Sequence, residues 1–172
     1  IGTRRKFLKS IAGAFAAVQL VGSKPLFAST ASKVGISDKY KSDFLVGAMV
    51  GDKYLFDSGH ELQELVLREF NALTTDNIFK WENIHPTDKI WNWAQSDVFV
   101  EYAEKNGKYA VGHPLVWDSQ IPEGLFSNRR SSKRSRQQYL EILVDHVSTL
   151  VGRYKGSIKA WDVVNESFDD DG

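Results

Sequence analysis

The chain has 172 residues, of which 42% are hydrophobic, 26% charged and 12% aromatic, a globular rather than a disordered or fibrous composition. Its 22 basic and 22 acidic residues cancel, so net charge gives no reason to expect a nucleic-acid partner. The absence of cysteine excludes disulfides, thiolate metal sites and a cysteine nucleophile. Five tryptophans offer flat surfaces suited to a core or to stacking on sugar rings.

Residues 1–28 are typical of an export signal. Paired arginines stand in a basic segment before a mostly apolar run over 11–21, and no acidic residue precedes Asp38. The arginines followed by Phe-Leu-Lys favour a bacterial twin-arginine signal with cleavage near Ala28 or Ala31. The apolar run is too short and too rich in alanine and glycine for a stable membrane anchor. The alternative, an amphipathic helix of the mature domain, is disfavoured because the segment has no polar face.

After a lead-in over 29–43, apolar runs alternate with segments of helical spacing. Four apolar runs predict strands, the first of them suited to burial on both faces; they cover 44–50, 71–75, 109–117 and 158–164. Three segments predict helices, namely Leu62 to Phe70, the stretch through Val98 and Ala103 to a C-cap at 106–107, and about 137–154.

This alternation predicts an α/β fold with parallel strands and right-handed crossovers. No glycine-rich phosphate loop follows any strand, so the nucleotide-binding α/β folds lack support. In α/β barrels the chemistry lies where the strands end. The predicted strand ends carry Asp76, Asn77 and Lys80 after the second, His113 and Trp117 after the third, and Asn165 and Glu166 after the fourth.

Three motifs at these strand ends resemble glycoside hydrolase family 10, the endo-1,4-β-xylanases of TIM-barrel fold. They are NALTTDNIFKWENIHP over 71–86, GHPLVWDSQIP over 112–122 and WDVVNE over 161–166. The resemblance covers 44–172 and implies the N-terminal half of a (β/α)8 barrel, about its first four strands. A complete barrel needs about 250 residues. The implied activity is retaining hydrolysis of internal β-1,4 bonds in xylan by an exported bacterial enzyme, without a cofactor or a metal.

The resemblance also implies a role for each matching residue. Glu166 matches the general acid/base, and Asn165 matches the amide that holds the sugar 2-hydroxyl beside the cleaved bond. Five residues match contacts to the substrate, with the tryptophan as its aromatic floor: Asn77, Lys80, His113, Trp117 and Gln120. The family's nucleophile lies on a late strand and is expected to be absent from this chain. The acid of such a pair must be protonated near neutral pH, which burial or a neighbouring negative charge can achieve. Beside tryptophan and apolar residues at a strand end, Glu166 is expected to be desolvated enough.

The chain departs from the family pattern at several positions. The family usually has Glu at Asp76, Met at Phe79, Thr at Pro114, His at Asp118 and Trp at Gly124. The departures near the site leave two alternatives open: a related barrel glycosidase acting on another β-glucan, and a non-catalytic carbohydrate-binding barrel. A glutamate on the seventh strand of a longer gene product would exclude the second alternative.

Several other features have plainer interpretations. His60, His85 and His146 lack metal-ligand spacing and are expected to be structural. The basic run at 129–136 has no interleaved aromatics, which predicts a solvated loop rather than a nucleic-acid site. The acidic residues at 169–171 predict a surface turn rather than a cation site. Four tryptophans are expected mainly in the core: Trp81, Trp91, Trp93 and Trp161.

Overall fold

The computed structural model describes residues 34–56, 61–125 and 134–168, all within one compact unit that spans 34–172. At its centre is a parallel sheet whose four strands lie in chain order. The strands are β1 (Gly47–Val50), β2 (Ala72–Thr75), β3 (Tyr109–Gly112) and β4 (Ile158–Trp161). The predicted parallel α/β sheet of four strands is therefore confirmed. The predicted export signal and the acidic turn at 169–171 lie outside the described residues.

Each predicted helix is found within a few residues of its expected position, and shorter helices lie between them. The helices are α1 (Ile36–Lys39), α2 (Asp52–Phe56), α3 (Glu61–Glu69), α4 (Trp81–Ile84), α5 (Trp93–Lys105) and α6 (Arg136–Arg153), with a 3-10 turn at Asp118–Gln120. The sequence analysis missed α1, α2, α4 and the 3-10 turn because so few residues cannot show a helical period. None of the described helices is long and apolar enough to cross a membrane.

The core lies between the sheet and the helices and is centred on Phe79, which is fully buried. Its ring meets Phe99, Tyr154 and Trp161 edge to face, with centroid distances of 5.8, 5.8 and 5.4 Å. Such edge-to-face contacts are the favoured geometry for aromatic pairs. Trp161 in turn lies against Gly112, where an added Cβ would come within 2.1 Å of the indole. Close packing of β3 and β4 at this point therefore requires glycine.

The prediction that residues 44–50 are buried on both faces is wrong. Phe44, Leu45 and Met49 are 57%, 51% and 64% exposed. Phe44 and Leu45 lie before β1, and within β1 the side chains alternate between an open face, which carries Met49, and the core face, which carries the buried Val50. The four tryptophans expected in the core do pack there: Trp81 is buried, and Trp91, Trp93 and Trp161 are partly buried against it.

Helix α6 begins with a capping box that also ends the basic run. The Gln138 backbone N–H donates to the Ser135 hydroxyl at 3.3 Å, and the Ser135 backbone N–H donates to Gln138 Oε1 at 2.7 Å. This reciprocal pairing satisfies two backbone donors at the helix start. Arg134 is exposed before the helix, and the exposed Arg136 is the first residue of α6, so the predicted loop over 129–136 ends at Ser135; residues 126–133 lie outside the described residues.

Candidate active site

Beyond the ends of β3 and β4, the two exit segments continue side by side. The Leu115 N–H donates to the Asp162 carbonyl at 2.8 Å, and the Val116 N–H donates to the Val163 carbonyl at 3.2 Å. The Asn165 N–H then donates back to the Val116 carbonyl at 2.9 Å. These bonds extend the parallel ladder past the regular strands and bring the side chains after Val116 next to those after Asn165.

The first side-chain contact at this edge joins Trp117 and Glu166. The Trp117 Nε1–H donates to Glu166 Oε2 at 2.8 Å. Glu166 has a φ of 50°, the left-handed conformation that non-glycine residues rarely adopt outside functional or strained sites. The expectation that Glu166 is desolvated is wrong for this chain, because the side chain is exposed. It follows β4, whose outer flank carries no paired strand among the described residues.

Lys80 and Asn77 meet at the end of β2, directly before α4. The Lys80 ammonium donates to Asn77 Oδ1 at 2.9 Å and lies 5.1 Å from the ring centroid of Trp117. A cation at this distance is attracted to the indole face. The indole therefore links two strand ends, since its face meets Lys80 while its N–H meets Glu166.

His113, at the end of β3, is held by a residue that the sequence analysis did not single out. Its Nδ1 lies 2.7 Å from Asp162 Oδ2. A carboxylate only accepts, so Nδ1 carries the hydrogen, and Nε2 is left for another partner. The WDVVNE motif contains this residue, since Asp162 is a second carboxylate directly after β4. Its contact with His113 could be recognised only once the pairing of the β4 exit with 112–115 was known.

Gln120 and Asp118 lie on the 3-10 turn that follows Trp117. Gln120 Oε1 is buried and has no hydrogen-bond partner among the described residues. Asp118 is exposed and accepts a long hydrogen bond of 3.4 Å from the Ser119 hydroxyl. The structure thus places Asp118 at the surface of the loop, while the Gln120 side chain points inward.

Asp76 forms a carboxyl pair with Asp52, a second residue that the sequence analysis missed. The Asp52 N–H donates to Asp76 Oδ1 at 3.1 Å. Burial, together with the neighbouring Asp76 carboxylate, raises the pKa of Asp52 to about 6. Burial opposes ionisation of Asp76 as well, but hydrogen bonds from the side chain and backbone of Asp52 outweigh it and lower the pKa of Asp76. The pair therefore holds one proton, on Asp52, through the weakly acidic range.

A cavity of about 370 Å³ lies between the loops after β2 and β3, and none of the predicted site residues lines it. Its wall includes His85, Leu125 and Gly124. Gly124 has a φ of 81° and nothing within 4 Å of an added Cβ. Within the described parts of the chain, no group of three His, Cys, Asp or Glu residues could hold a metal ion.

Comparison with known proteins identifies the family. Residues 35–172 match the model of glycosyl hydrolase family 10. The chain belongs to this family. Endo-1,4-beta-xylanase B of Paenibacillus barcinonensis is 36% identical over 135 residues, which are 78% of this chain and 40% of that enzyme. The chain thus spans about two fifths of the length of this curated relative.

Solved family 10 structures confirm the fold. An endoxylanase of this family retrieved from sugarcane soil metagenome is 47% identical, with a TM-score of 0.73 over 80% of this chain and 40% of that one. A mutant solved in complex with xylotriose is 32% identical, with a TM-score of 0.72 over 81% of this chain and 41% of that one. The four described strands are therefore part of a family 10 TIM barrel, as the resemblance implied.

Proposed function

We propose that this chain supplies the acid/base half of a retaining endo-1,4-β-xylanase. The observation that carries the proposal is the 2.8 Å hydrogen bond from the Trp117 indole to one oxygen of Glu166. It fixes a carboxyl group at the carboxyl end of β4, the edge where barrel enzymes place their catalytic groups. The second oxygen of Glu166 then faces the sugar chain.

In this proposal Glu166 protonates the departing glycosidic oxygen and afterwards, as a carboxylate, activates the water that releases the bound sugar. A retaining enzyme also needs a second carboxyl group about 5–5.5 Å away, which forms the covalent glycosyl intermediate. No described residue takes that role, and we propose that a later strand of the complete barrel supplies it. The activity is therefore assigned to the complete barrel, of which this chain spans about 40% in its relatives.

The strand ends of this chain supply the grip on the sugar next to the cleaved bond. The Lys80–Asn77 pair offers an ammonium donor and amide groups to vicinal hydroxyls. His113 offers its Nε2 to a sugar hydroxyl, because Asp162 already binds Nδ1. Asn165 takes the 2-hydroxyl, a contact that adds no charge and tightens as the transition state develops.

Trp117 forms the floor of this groove, and Gln120 on the adjacent turn is its further hydrogen-bonding group. The proposed substrate class is xylan or a related β-1,4-linked polysaccharide. The names of the relatives support it, since they are endo-1,4-β-xylanases, and one solved relative holds xylotriose. Asp76 favours the second candidate, a related β-glucanase, because its pairing with Asp52 changes the polar groups at the end of β2.

Mutation of Glu166 tests the acid/base role in a gene product that carries this chain within a complete barrel. Glu166→Ala should reduce hydrolysis of xylan and of poor leaving groups by about 10²–10⁴-fold, the usual contribution of a general acid. Activated aryl xylosides should still form the glycosyl intermediate, and added azide should restore turnover with retained configuration. Unchanged xylan hydrolysis by this variant would refute the assignment. Product analysis on xylan, cellulose and mixed-linkage glucan separates the two candidate substrates.

We also propose that the protein is exported through a twin-arginine signal in residues 1–28. The basic and apolar order of that segment supports the proposal, as does the bacterial origin of the relative. A reporter fused to residues 1–35 should leave the bacterial cytoplasm. Export should stop when Arg4 and Arg5 are both changed to lysine, and export that survives this change would contradict a twin-arginine route.

A further inference from the structure

Two buried histidines beside the candidate site have no part in the mechanism proposed above. His85 caps the end of α4 and is 3% exposed, while His146 lies in α6 and is fully buried. Their rings are coplanar within 1°, and their Nδ1 atoms are 3.2 Å apart. Trp91 stacks on His85 at 3.8 Å and Trp81 stacks on His146 at 3.9 Å. With indoles on their faces, the histidines make their hydrogen bonds along the ring edges.

The partners of His146 fix the position of every ring hydrogen in the pair. His146 Nε2 lies 3.1 Å from the Leu115 carbonyl oxygen, which can only accept, so Nε2 carries the hydrogen. A neutral His146 then presents a lone pair at Nδ1, and His85 must donate its Nδ1–H to it. The opposite tautomer at either ring would set two lone pairs or two hydrogens against each other.

The neutral state of the pair follows from its surroundings. Burial lowers the pKa of His146 to about 4, with the neighbouring His85 acting in the same direction. Burial also lowers the pKa of His85, against the opposing effect of the Asp145 and Asp88 carboxylates. His85 Nε2 remains as a buried acceptor without a partner among the described residues. Near neutral pH the pair therefore has one arrangement of hydrogens.

The carbonyl that His146 holds belongs to the segment that carries Trp117. Leu115 is bound on both sides, because its N–H donates to Asp162 and its carbonyl accepts from His146. Two residues later the Trp117 indole binds Glu166. A shift of the Leu115 peptide would move Trp117, and with it the carboxyl group that Trp117 orients.

We propose that His146 is a positioning residue for Glu166, with His85 keeping the hydrogen of His146 on the nitrogen that holds Leu115. The inference rests on the proposed acid/base role of Glu166. In this role neither histidine transfers a proton to the reacting groups, and neither touches the substrate. The two rings act by fixing the loop between β3 and the 3-10 turn against α6.

The tautomers can be measured without any assay of activity. Nitrogen-15 NMR of the histidine rings, between about pH 6 and 8, should give an Nε2–H tautomer for His146 and an Nδ1–H tautomer for His85. An Nδ1–H tautomer at His146 would overturn the proposal, because Nε2 could not then donate to Leu115.

Two substitutions at the same position test the effect on Glu166 within a complete barrel. His146→Phe keeps a ring but removes the donor, whereas the amide of His146→Gln can still donate to the Leu115 carbonyl. His146→Phe should lower kcat on poor leaving groups by about 10- to 100-fold, the cost of a small misplacement of a catalytic group. The alkaline limb of its kcat/KM profile should shift, and activated aryl xylosides should be much less affected. His146→Gln should recover most of the loss.

If circular dichroism shows that His146→Phe does not fold, His85→Phe replaces it, with His85→Asn as the variant that retains a donor. His85→Phe should show the same leaving-group dependence with a smaller loss, and no such dependence would overturn the proposal. Glu166→Ala distinguishes a failure of the acid/base role of Glu166 from a failure of the positioning role of His146. If that variant keeps its rate on poor leaving groups, the acid/base role fails. If Glu166→Ala loses that rate while a folded His146→Phe keeps the wild-type pH profile and leaving-group dependence, only the positioning role fails.

Discussion

The two inner strands of the sheet and its two edge strands differ in how far their apolar side chains are buried. β2 and β3 each pair on two sides, and Leu73 and Ala110 at their centres are each 1% exposed. β1 and β4 form the two opposite edges and each pair on one side; Met49 in β1 and Val163 just after β4 are 64% and 61% exposed. The same kind of apolar residue is thus core in one region and surface in the other.

The candidate site residues differ in the same way. Those after the inner strands are ordered by contacts within this chain, whereas the one after β4 lies at an edge with no further strand beside it among the described residues. Lys80 contacts both Asn77 and Trp117 across the ends of β2 and β3, and all three residues are partly buried. Glu166, beyond β4, is held by Trp117 on one side and is exposed on the other. The residues proposed to bind the sugar are therefore ordered inside this chain, whereas the proposed acid/base carboxyl has neighbours on one side only.

The largest expected effect tests that separation directly. The purified 172-residue chain should show no measurable hydrolysis of xylan, because none of the described residues is assigned the nucleophile's role and Glu166 lies at an open edge of the sheet. A complete barrel that carries the same sequence should be active. Reducing-sugar release from xylan measures both, and clear turnover by the chain alone would contradict the proposed division of the site.

The second prediction compares the two environments through stability. Phe79→Ala should lower the free energy of unfolding by about 3–5 kcal/mol, because it empties the fully buried centre of the core. Met49→Ala should change it by no more than about 0.5 kcal/mol in this chain, as surface substitutions usually do. Urea denaturation of both variants measures the contrast. Equal losses would mean that the edge of β1 is as well packed as the core.

The division between core and edge also explains what could be predicted from the sequence. The strands, the longer helices and the positions of Trp117 and Glu166 after the third and fourth strands followed from apolar runs, helical period and the resemblance to family 10. The burial of 44–50 did not, because an apolar run predicts burial only when a neighbour covers it. The desolvation of Glu166 failed for the same reason, because β4 pairs on one side only in the described sheet, the open edge that a barrel limited to its first four strands implies.

Side-chain contacts between distant segments could not be predicted from the sequence either. His85 and His146 are 61 positions apart, and each alone resembles an ordinary structural histidine. Asp52 lies after β1 and meets Asp76 only because the two strands are parallel and in register. Side-chain pairs of this kind depend on the packing of whole elements, which local patterns do not specify.

The third prediction concerns the indole that joins the two regions. Trp117→Phe keeps a ring for Lys80 but removes the donor to Glu166, so activity of the complete barrel on poor leaving groups should fall about tenfold, close to 1.4 kcal/mol. Trp93→Phe is the matched control, since Trp93 packs against the core and contacts Tyr154 and Arg153. Steady-state kinetics on aryl xylosides of graded leaving-group pKa provide the measurement. An equal loss in both variants would point to general loosening rather than to the Glu166 contact.

The smallest effect concerns the pH dependence of stability at the end of β1. Because the pKa of Asp52 is raised to about 6 in the folded chain from an ordinary value near 3.8, the folded state holds its proton more tightly than the unfolded state. The resulting stabilisation is complete below about pH 4, declines as pH rises towards 6, and is absent above it. Asp76, with its lowered pKa, acts in the opposite sense and loses its contribution as the solution becomes more acidic.

Asp52→Asn keeps a donor for Asp76 but removes the titration of residue 52. Between pH 4 and 7 the free energy of unfolding of this variant should therefore lack the decline that Asp52 causes in the wild type. At pH 7 we expect a gain of about 1 kcal/mol, reduced from the full linkage value because the pair is partly solvated. Denaturation midpoints of wild type and Asp52→Asn across this range measure the difference, and parallel curves would show that Asp52 ionises as an ordinary surface carboxylate.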